Sequence, residues 1–154
     1  MSQPLSQVPA FVRLTNPFAN ALLRVGLPMG PNSLVTIRGR TSGQPRSMPL
    51  AVLELDDRRW IIGAYGDVNW TRNLRAAGEA EIQVHGAMRH VTARELRGDA
   101  AVGFFRNILP AYIRRFPAAG RVFASIFFRL VAPEITRDPE RAATTHPVFE
   151  LEAS

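Results

Sequence analysis

The first periodic stretch of the chain is helical. Apolar side chains recur three or four positions apart, the spacing of one helix face; they are Phe11, Leu14, Phe18, Leu22 and Val25. This pattern predicts an N-terminal helix that starts or breaks near Pro17, because proline lacks a backbone N–H. Such a face either packs on a core or lies on a membrane surface, and the pattern leaves both open.

The period changes to two after residue 33. Apolar and polar residues alternate over 34–38, an almost wholly apolar run covers 48–55, and a third segment covers 60–65. Asp56 and Asp57 form a tight turn between the second and third segments. Three strands joined by short turns predict an antiparallel meander.

A short helix and two further strands follow. Asp67 or Asn69 can cap a helix over 70–77, which a glycine ends. The alternating segments 81–84 and 88–96 then predict a second hairpin.

The last third of the chain is mostly helical. Asp99 can cap a helix that Pro110 and Pro117 break, and apolar spacing over 122–130 predicts another helix before a polar connector. Residues 146–151 alternate and predict a closing strand. Strands, then helices, then a strand predict an α+β fold, in which helices pack on a small antiparallel barrel.

The length of 154 residues predicts a single domain, 1–154. Its predicted parts are an N-terminal helix and loop (1–33), barrel strands with one short helix (34–97), a helical segment (98–145) and a closing strand (146–152).

Composition excludes several chemistries. The chain has no cysteine, and all 19 of its basic residues are arginine. Thiolate metal sites, cysteine nucleophiles and Schiff-base lysines are therefore excluded. The net charge of +6 suits an anionic ligand, a nucleic acid or an acidic membrane surface. The N-terminal residues lack the apolar region of a secretory signal, so we expect a cytoplasmic protein, with membrane association left open.

Metal and nucleic-acid sites are not indicated. His85 and His90 are five residues apart across a predicted hairpin, and His146 is remote; no carboxylate completes a ligand set, so we expect no metal. Aromatic residues do not interleave with the arginines, so we expect no nucleic-acid partner.

The segment 39–50 is the first candidate site. It contains glycines, prolines, hydroxyl groups and two arginines between two strands. Glycines let backbone N–H groups approach a ligand, and guanidinium groups grip anions, so the hairpin tip predicts a phosphate site. The alternative is an ordinary solvated turn.

The segment 65–74 is the second candidate site. A strand end, a glycine and a helix start together predict backbone donors for an anion. Trp70 either covers an aromatic ligand or anchors the helix in the core, and Asn73 faces the same side. We expect Arg72 and Arg75 to lie in solvent.

Together, the two segments resemble the deazaflavin (F420)-dependent nitroreductase family. The residues that carry the resemblance are Thr36-x-x-Gly39-Arg40-x-Ser42-Gly43-x-x-Arg46-x-x-Pro49-Leu50 and Gly66-x-x-x-Trp70-x-x-Asn73-Leu74. The resemblance implies a split β-barrel of the FMN-binding and pyridoxamine-phosphate-oxidase-like type. It also implies coenzyme F420, a deazaflavin with a phosphate and an acidic tail, with FMN as the alternative cofactor.

The resemblance also implies which residues bind the cofactor. The phosphate and tail would lie against Arg40, Thr41, Ser42 and Arg46. The deazaflavin would lie along Ser47, Met48, Pro49 and Leu50. The other side would be closed by Ile62, Gly63, Ala64, Tyr65, Asn69, Trp70 and Asn73. Many family members have lysine at the position of Thr41, so the phosphate grip here would rest on the arginines.

The implied reaction is hydride transfer from the reduced deazaflavin to a quinone, an enone or a nitroaromatic acceptor. Tyr112 would donate a proton or a hydrogen bond to that acceptor; the alternative is that it packs on the barrel. There are two alternative functions. One is an FMN-dependent reductase, and the other is a non-catalytic protein that binds a cofactor, a lipid or haem. The sequence leaves open whether the protein forms a homodimer and whether it contacts a membrane peripherally.

Overall fold

The computed structural model describes residues 32–84 and 86–154. Seven strands form one sheet in which every paired strand is antiparallel. The strands are β1 (Asn32–Arg38), β2 (Pro45–Ala51), β3 (Leu53–Leu55), β4 (Arg58–Ile62), β5 (Glu79–Val84), β6 (Ala87–Glu95) and β7 (Val148–Ala153). The predicted N-terminal helix and His85 lie outside the described residues.

The sheet curls back on itself. Its strand order is β2-β1-β5-β6-β7-β4-β3, so β2 and β3 lie at opposite ends. A single residue, Val52, joins these two strands along the chain. Because consecutive Cα atoms are about 3.8 Å apart, the two ends must meet, and the sheet forms the predicted barrel.

Two predicted strands differ from the structure. The apolar run 48–55 is divided at Val52 into β2 and β3, since the chain passes from one end of the sheet to the other there. The segment 60–65 stops being a strand after Ile62. The turn between β3 and β4 is confirmed: Asp56 and Asp57 have φ of 52° and 64°, as a two-residue hairpin turn requires.

The helices also follow the predicted order, with differences at the prolines. They are α1 (Asn69–Ala77), α2 (Asp99–Gly103), a π-helix (Phe104–Ile108), α3 (Leu109–Arg114), α4 (Ala118–Val131), α5 (Glu134–Arg137) and α6 (Pro139–Thr145). Pro110 does not break the chain's helical path. Instead the preceding turn widens, and the N–H of Leu109 donates to the carbonyl of Phe104.

The polar connector predicted after α4 is helical. Asp138 caps α6 by accepting a hydrogen bond from the N–H of Arg141 at 3.1 Å, and Pro139 occupies the first helical position. Proline there loses no helical hydrogen bond and has the right φ. Pro139 therefore begins a helix, whereas Pro117 separates α3 from α4 as expected.

The sheet has an apolar core on each face. The barrel core contains Val35, Ile37, Val52, Ile61, Leu74, Ala80, Ile82, Val91, Phe149 and Leu151. The helical core contains Leu53, Leu55, Trp60, Leu96, Ala101, Phe104, Phe105, Leu109, Ala132, Ile135, Ala142 and Val148. Neighbours along β7, Val148 and Phe149, enter different cores because successive side chains of a strand point to opposite faces.

No helix among residues 32–84 and 86–154 combines the length and the apolar character needed to cross a bilayer. The single-domain organisation stays a prediction.

Candidate functional site

The tip of the β1–β2 hairpin is a compact loop. The N–H of Gly39 donates to the carbonyl of Gln44 at 2.8 Å, and the N–H of Gly43 donates to the carbonyl of Gly39 at 2.9 Å. Gly43 has φ of 70°, a conformation that favours glycine. The loop is therefore a closed turn at the position predicted for an anion site.

Gly39 leaves room for two side chains of the loop. A Cβ atom at Gly39 would lie 2.7 Å from Oγ of Ser42 and 3.5 Å from Nε of Arg46. The hydroxyl of Ser42 and the guanidinium of Arg46 therefore both lie close to the Cα atom of Gly39. A larger residue at position 39 would push them apart.

Arg40 joins the two candidate segments. Its N–H donates to Oδ1 of Asn73 at 3.1 Å, and its Nη1 donates to the same oxygen at 2.7 Å. Longer contacts run from Arg40 to the carbonyl and to Oδ1 of Asn69, at 3.5 and 3.4 Å. Asn73 is buried, so this bond fixes the loop on α1.

Helix α1 is anchored by its first turn. The N–H of Val68 donates to Oγ1 of Thr71 at 2.9 Å, and that hydroxyl donates to Asp67 at 2.8 Å. Asp67 therefore does not cap the helix as predicted; it binds Thr71 and Arg75 instead. Burial alone would raise the pKa of Asp67, but hydrogen bonds from Thr71 and Arg75 hold it below its usual value.

Arg75 is exposed, as expected, but its guanidinium has partners on the protein. It forms ion pairs with Asp67 and Glu95. Arg72 also approaches Asp67, at 3.4 Å. The start of α1 thus already faces the carboxylate of Asp67, which would repel an anion. The β1–β2 loop is therefore the more suitable place for an anionic ligand.

Several donors of this loop remain available. Within residues 32–84 and 86–154, the Arg46 guanidinium and the N–H groups of Thr41 and Ser42 have no acceptor. All three residues are exposed. The segment 32–53 also contains three arginines and no acidic residue, so the local charge is strongly positive.

A partly apolar surface adjoins the loop. Met48 and Leu50 are half-buried on β2, an end strand of the sheet, while Pro49 is exposed between them. Ser47 hydrogen-bonds Thr36 across the hairpin at 2.7 Å. Leu50 and Trp70 both pack on the barrel core.

Trp70 also anchors its helix. Its ring lies 6.3 Å from that of Phe149, centroid to centroid. The residue is only half-buried, so one part of the indole packs inward while another part stays accessible. Both interpretations drawn from the sequence therefore remain open for it.

The segment 62–65 is fastened to the start of β7. The N–H of Gly63 donates to the carbonyl of Pro147 at 2.7 Å. The carbonyl of Gly63 accepts from Nδ1 of buried His146 at 3.0 Å. Ile62 and Ala64 pack against the helical core, and burial raises the pKa of Tyr65.

His146 is a polar anchor that the sequence did not single out as one. Its Nε2 faces Oε1 of Glu134 at 2.5 Å. The two ring nitrogens of His146 therefore face the carbonyl oxygen of Gly63 and the carboxylate of Glu134. Burial alone would raise the pKa of Glu134, but the hydrogen bond and charge of His146 lower it. The signal in the sequence was weak, since residues twelve apart give no periodic pattern.

Tyr112 lies in the helical region. Its ring meets that of Phe116 edge-to-face at 4.8 Å, and it packs against the helical core together with Ile62 and Ala64. Burial raises the pKa of Tyr112 to about 12. No hydrogen bond among the described residues connects it to Arg40, Asn69 or Asn73.

Solved structures define the class of fold. The chain is similar to a Bacteroides thetaiotaomicron protein described as a 5-nitroimidazole antibiotic resistance protein (10% identity, 87% of this chain and 79% of that one, TM-score 0.52). It is also similar to a pyridoxamine 5′-phosphate oxidase-related, FMN-binding protein from Nostoc punctiforme (14% identity, 90% and 79%, TM-score 0.50). The fold is a split β-barrel, as predicted.

The family follows from the sequence. The profile of the F420H(2)-dependent quinone reductase family matches residues 18–116, nearly two thirds of the chain. The chain therefore belongs to this family and is an F420-dependent oxidoreductase, as the resemblance implied. The F420-H2-dependent reductase FDR-A is similar as well (21% identity, 79% of this chain and 94% of that one, TM-score 0.48). No curated protein matches the chain.

The residues present fit coenzyme F420. Its phosphate and acidic tail require cationic and N–H donors. The Arg46 guanidinium and the backbone N–H groups of Thr41 and Ser42 provide them, since none of these groups has an acceptor among the described residues. Its flat ring requires apolar surface, which Met48, Leu50 and Trp70 provide. The β1–β2 loop and the adjoining face of β2 are therefore a suitable site for this cofactor.

Proposed function

We propose that this protein transfers hydride from reduced F420 to a quinone-type acceptor. The observation that carries the proposal is the bond from Arg40 to Asn73. It joins the two segments of the motif, and it leaves the Arg46 guanidinium without an acceptor among the described residues. Enones and nitroaromatics are electron-poor in the same way and are the next acceptors to test.

Arg46 would hold the phosphate or tail of the cofactor. A guanidinium binds a phosphate through two parallel hydrogen bonds, and the backbone N–H groups of Thr41 and Ser42 would add to them. Arg40 would act mainly by positioning the loop, since most of its donors already bind Asn69 and Asn73.

The bound cofactor supplies the hydride. Leu50 and Trp70 would exclude water from its ring, and the stiff connection of β2 to β1 would orient it. Conversion of a quinone to a hydroquinone takes up one hydride and one proton. A tyrosine hydroxyl is protonated at neutral pH, and burial raises the pKa of Tyr112 further, so it would donate a hydrogen bond to the acceptor oxygen.

The first experiment measures cofactor binding by fluorescence. We expect oxidised F420 to bind in the micromolar range and more tightly than FMN. Arg46→Ala should weaken binding by about 10- to 100-fold, the effect of a lost charged hydrogen bond. Arg89→Ala is the matched control, since Arg89 is exposed three strands away in the sheet order. Equal affinity in the two variants would refute the site.

The second experiment follows the oxidation of reduced F420 by a soluble quinone. Turnover separates an enzyme from a protein that only carries the cofactor. Tyr112→Phe keeps the ring and its packing on Phe116, so it should leave cofactor binding unchanged and lower kcat by about tenfold or more. An unchanged kcat would restrict Tyr112 to packing.

A further inference from the structure

The outward face of α4 is unusually apolar. Val122, Phe123, Ile126 and Leu130 are 59%, 49%, 52% and 68% exposed. Three of them are four residues apart, so they form a continuous stripe along the helix. On the opposite side, Ala124 is buried, and the half-buried Phe128 and Val131 pack against the helical core.

The stripe has a cationic edge. Arg121, Ser125 and Arg129 lie with Val122 and Ile126 around one shallow depression of the surface. Within the described residues, neither arginine has an acidic partner. Helix α4 itself contains no Asp or Glu. Apolar side chains beside guanidinium groups on long flexible stems are the composition of a helix that lies at a lipid surface.

Charge complementarity favours one occupant. A second copy docking on the same face would bring two sets of unpaired arginines together, which costs free energy. Residues 1–31 contain arginine but no acidic residue, so they offer no complementary charge either. An anionic lipid headgroup does, and acyl chains would cover the apolar stripe.

We propose that α4 is a docking face for anionic membranes. The helix would lie flat, with Val122, Ile126 and Leu130 in the acyl boundary and Arg121 and Arg129 at the phosphates. The helix lies beyond the family-matched residues 18–116, so the proposal concerns a part of this chain that the family assignment does not cover. It does not depend on the proposed acceptor or on Arg46.

The test is flotation of the full-length protein with lipid vesicles. We expect binding to vesicles of phosphatidylglycerol and phosphatidylcholine, weaker binding at high salt, and little binding to phosphatidylcholine alone. Ile126→Glu should reduce partitioning by about tenfold or more. Met88→Glu is the matched control, because Met88 is 54% exposed on β6 and the variant has the same net charge.

The arginines are tested separately. The change of both Arg121 and Arg129 to Ala should weaken binding by about fivefold for each charge and reduce its dependence on salt. Thermal melts and the fluorescence titration with F420 check that each variant is folded. These readouts also separate failure of this proposal from failure of the cofactor site.

Three results would overturn the proposal. They are absence of vesicle binding by the wild-type chain, equal binding to charged and neutral vesicles, and equal loss in Ile126→Glu and Met88→Glu. Sedimentation at several protein concentrations tests whether a second copy of the chain occupies this face instead. A dimer that Ile126→Glu dissociates, with no vesicle binding, would assign the face to a second copy.

Discussion

Two polar regions of the molecule are built in opposite ways. At the junction of residues 62–65 with β7, the backbone groups of Gly63 and both nitrogens of His146 have partners. At the β1–β2 loop, Arg40 binds Asn73, but Arg46 beside it has no acceptor among the described residues. Both regions lie next to residues that the family motif singles out.

This difference distinguishes polar groups that stabilise the fold from polar groups that can bind a ligand. A polar group whose partners are all internal stabilises the fold, because a ligand would have to replace bonds already made. A free guanidinium on an exposed loop contributes little to the fold and is available to an anion. Substitutions at the junction should therefore affect stability first, and those at the loop should affect cofactor binding first.

The largest effect is expected for Gly63→Ala at the junction. A Cβ atom there would lie 2.9 Å from the carbonyl oxygen of Gly66 and 3.1 Å from Pro147 and Thr71. Two of these neighbours are backbone or proline ring, so they cannot rotate away. We expect a loss of about 2–3 kcal/mol in the free energy of unfolding, measured by urea denaturation.

Gly103→Ala is the control for this prediction. Nothing lies within 4 Å of a Cβ atom at Gly103, and the residue ends α2. Alanine should be neutral there or stabilise the helix slightly. If both glycine variants were equally stable, crowding at Gly63 would not be the reason for its glycine.

Asn73→Ala should affect both stability and cofactor binding, because Asn73 is buried and also binds the β1–β2 loop. Loss of its amide removes the acceptor for two donors of Arg40. We expect about 1–2 kcal/mol lower stability and F420 binding weakened by about fivefold or more, because the loop loses its anchor. Asn69→Ala should do less, since it removes only one long contact, 3.4 Å from Arg40 to Oδ1, and keeps the backbone carbonyl. Equal effects in both variants would contradict the ranking.

The sequence predicted the barrel strands well where alternation was clean. Val35 and Ile37 were expected on one face, and both are fully buried in the barrel core. It failed along 48–55, because a continuous apolar run gives no sign of where one strand ends, and half of this run (Met48 to Ala51) is exposed or only half-buried in the structure. The division at Val52 depends on barrel closure, a long-range property.

The candidate site was predictable in part. Glycine, serine, threonine and arginine residues indicated the loop in segment 39–50, and Trp70 and Asn73 indicated the partner segment 65–74. That Arg40 would bind Asn73 was not predictable, because 33 residues separate them and many partners compete for a guanidinium. His146 and Glu134 were missed as a pair for the same reason, and Tyr112 as a catalytic residue stays a prediction.

Glu134→Gln tests the pH dependence of the junction. The pKa of Glu134 is lowered in the folded chain. Its hydrogen bond with His146 therefore contributes stability at pH values above the usual pKa of 4.5, and this contribution disappears as the pH falls through the lower pKa of the folded chain. At neutral pH, we expect the free energy of unfolding of the variant to be lower than that of the wild type by about 0.5–1 kcal/mol. This difference should close in acid, and thermal melts over a pH series measure it.

Glu140→Gln is the matched control for the pH series. Glu140 is 79% exposed and lies 3.6 Å from Arg106, so its removal should leave the melting temperature nearly unchanged at every pH. A gap between Glu134→Gln and the wild type that widened on acidification would reverse the sign and refute the assigned role of the pair.

The smallest effect is expected for Thr41→Lys, which adds a charge to a loop that already has free donors. Thr41 is exposed beside Ser42, and the new ammonium group would act as a flexible point charge without replacing an internal bond. We expect F420 to bind about two- to fivefold more tightly at low salt, with the gain lost at high salt and stability unchanged. Thr136→Lys adds the same net charge on α5 and should leave the affinity unaltered. If Thr41→Lys weakened binding instead, the hydroxyl of Thr41 itself would be a necessary contact, and the loop would hold its anion by close hydrogen bonds more than by charge.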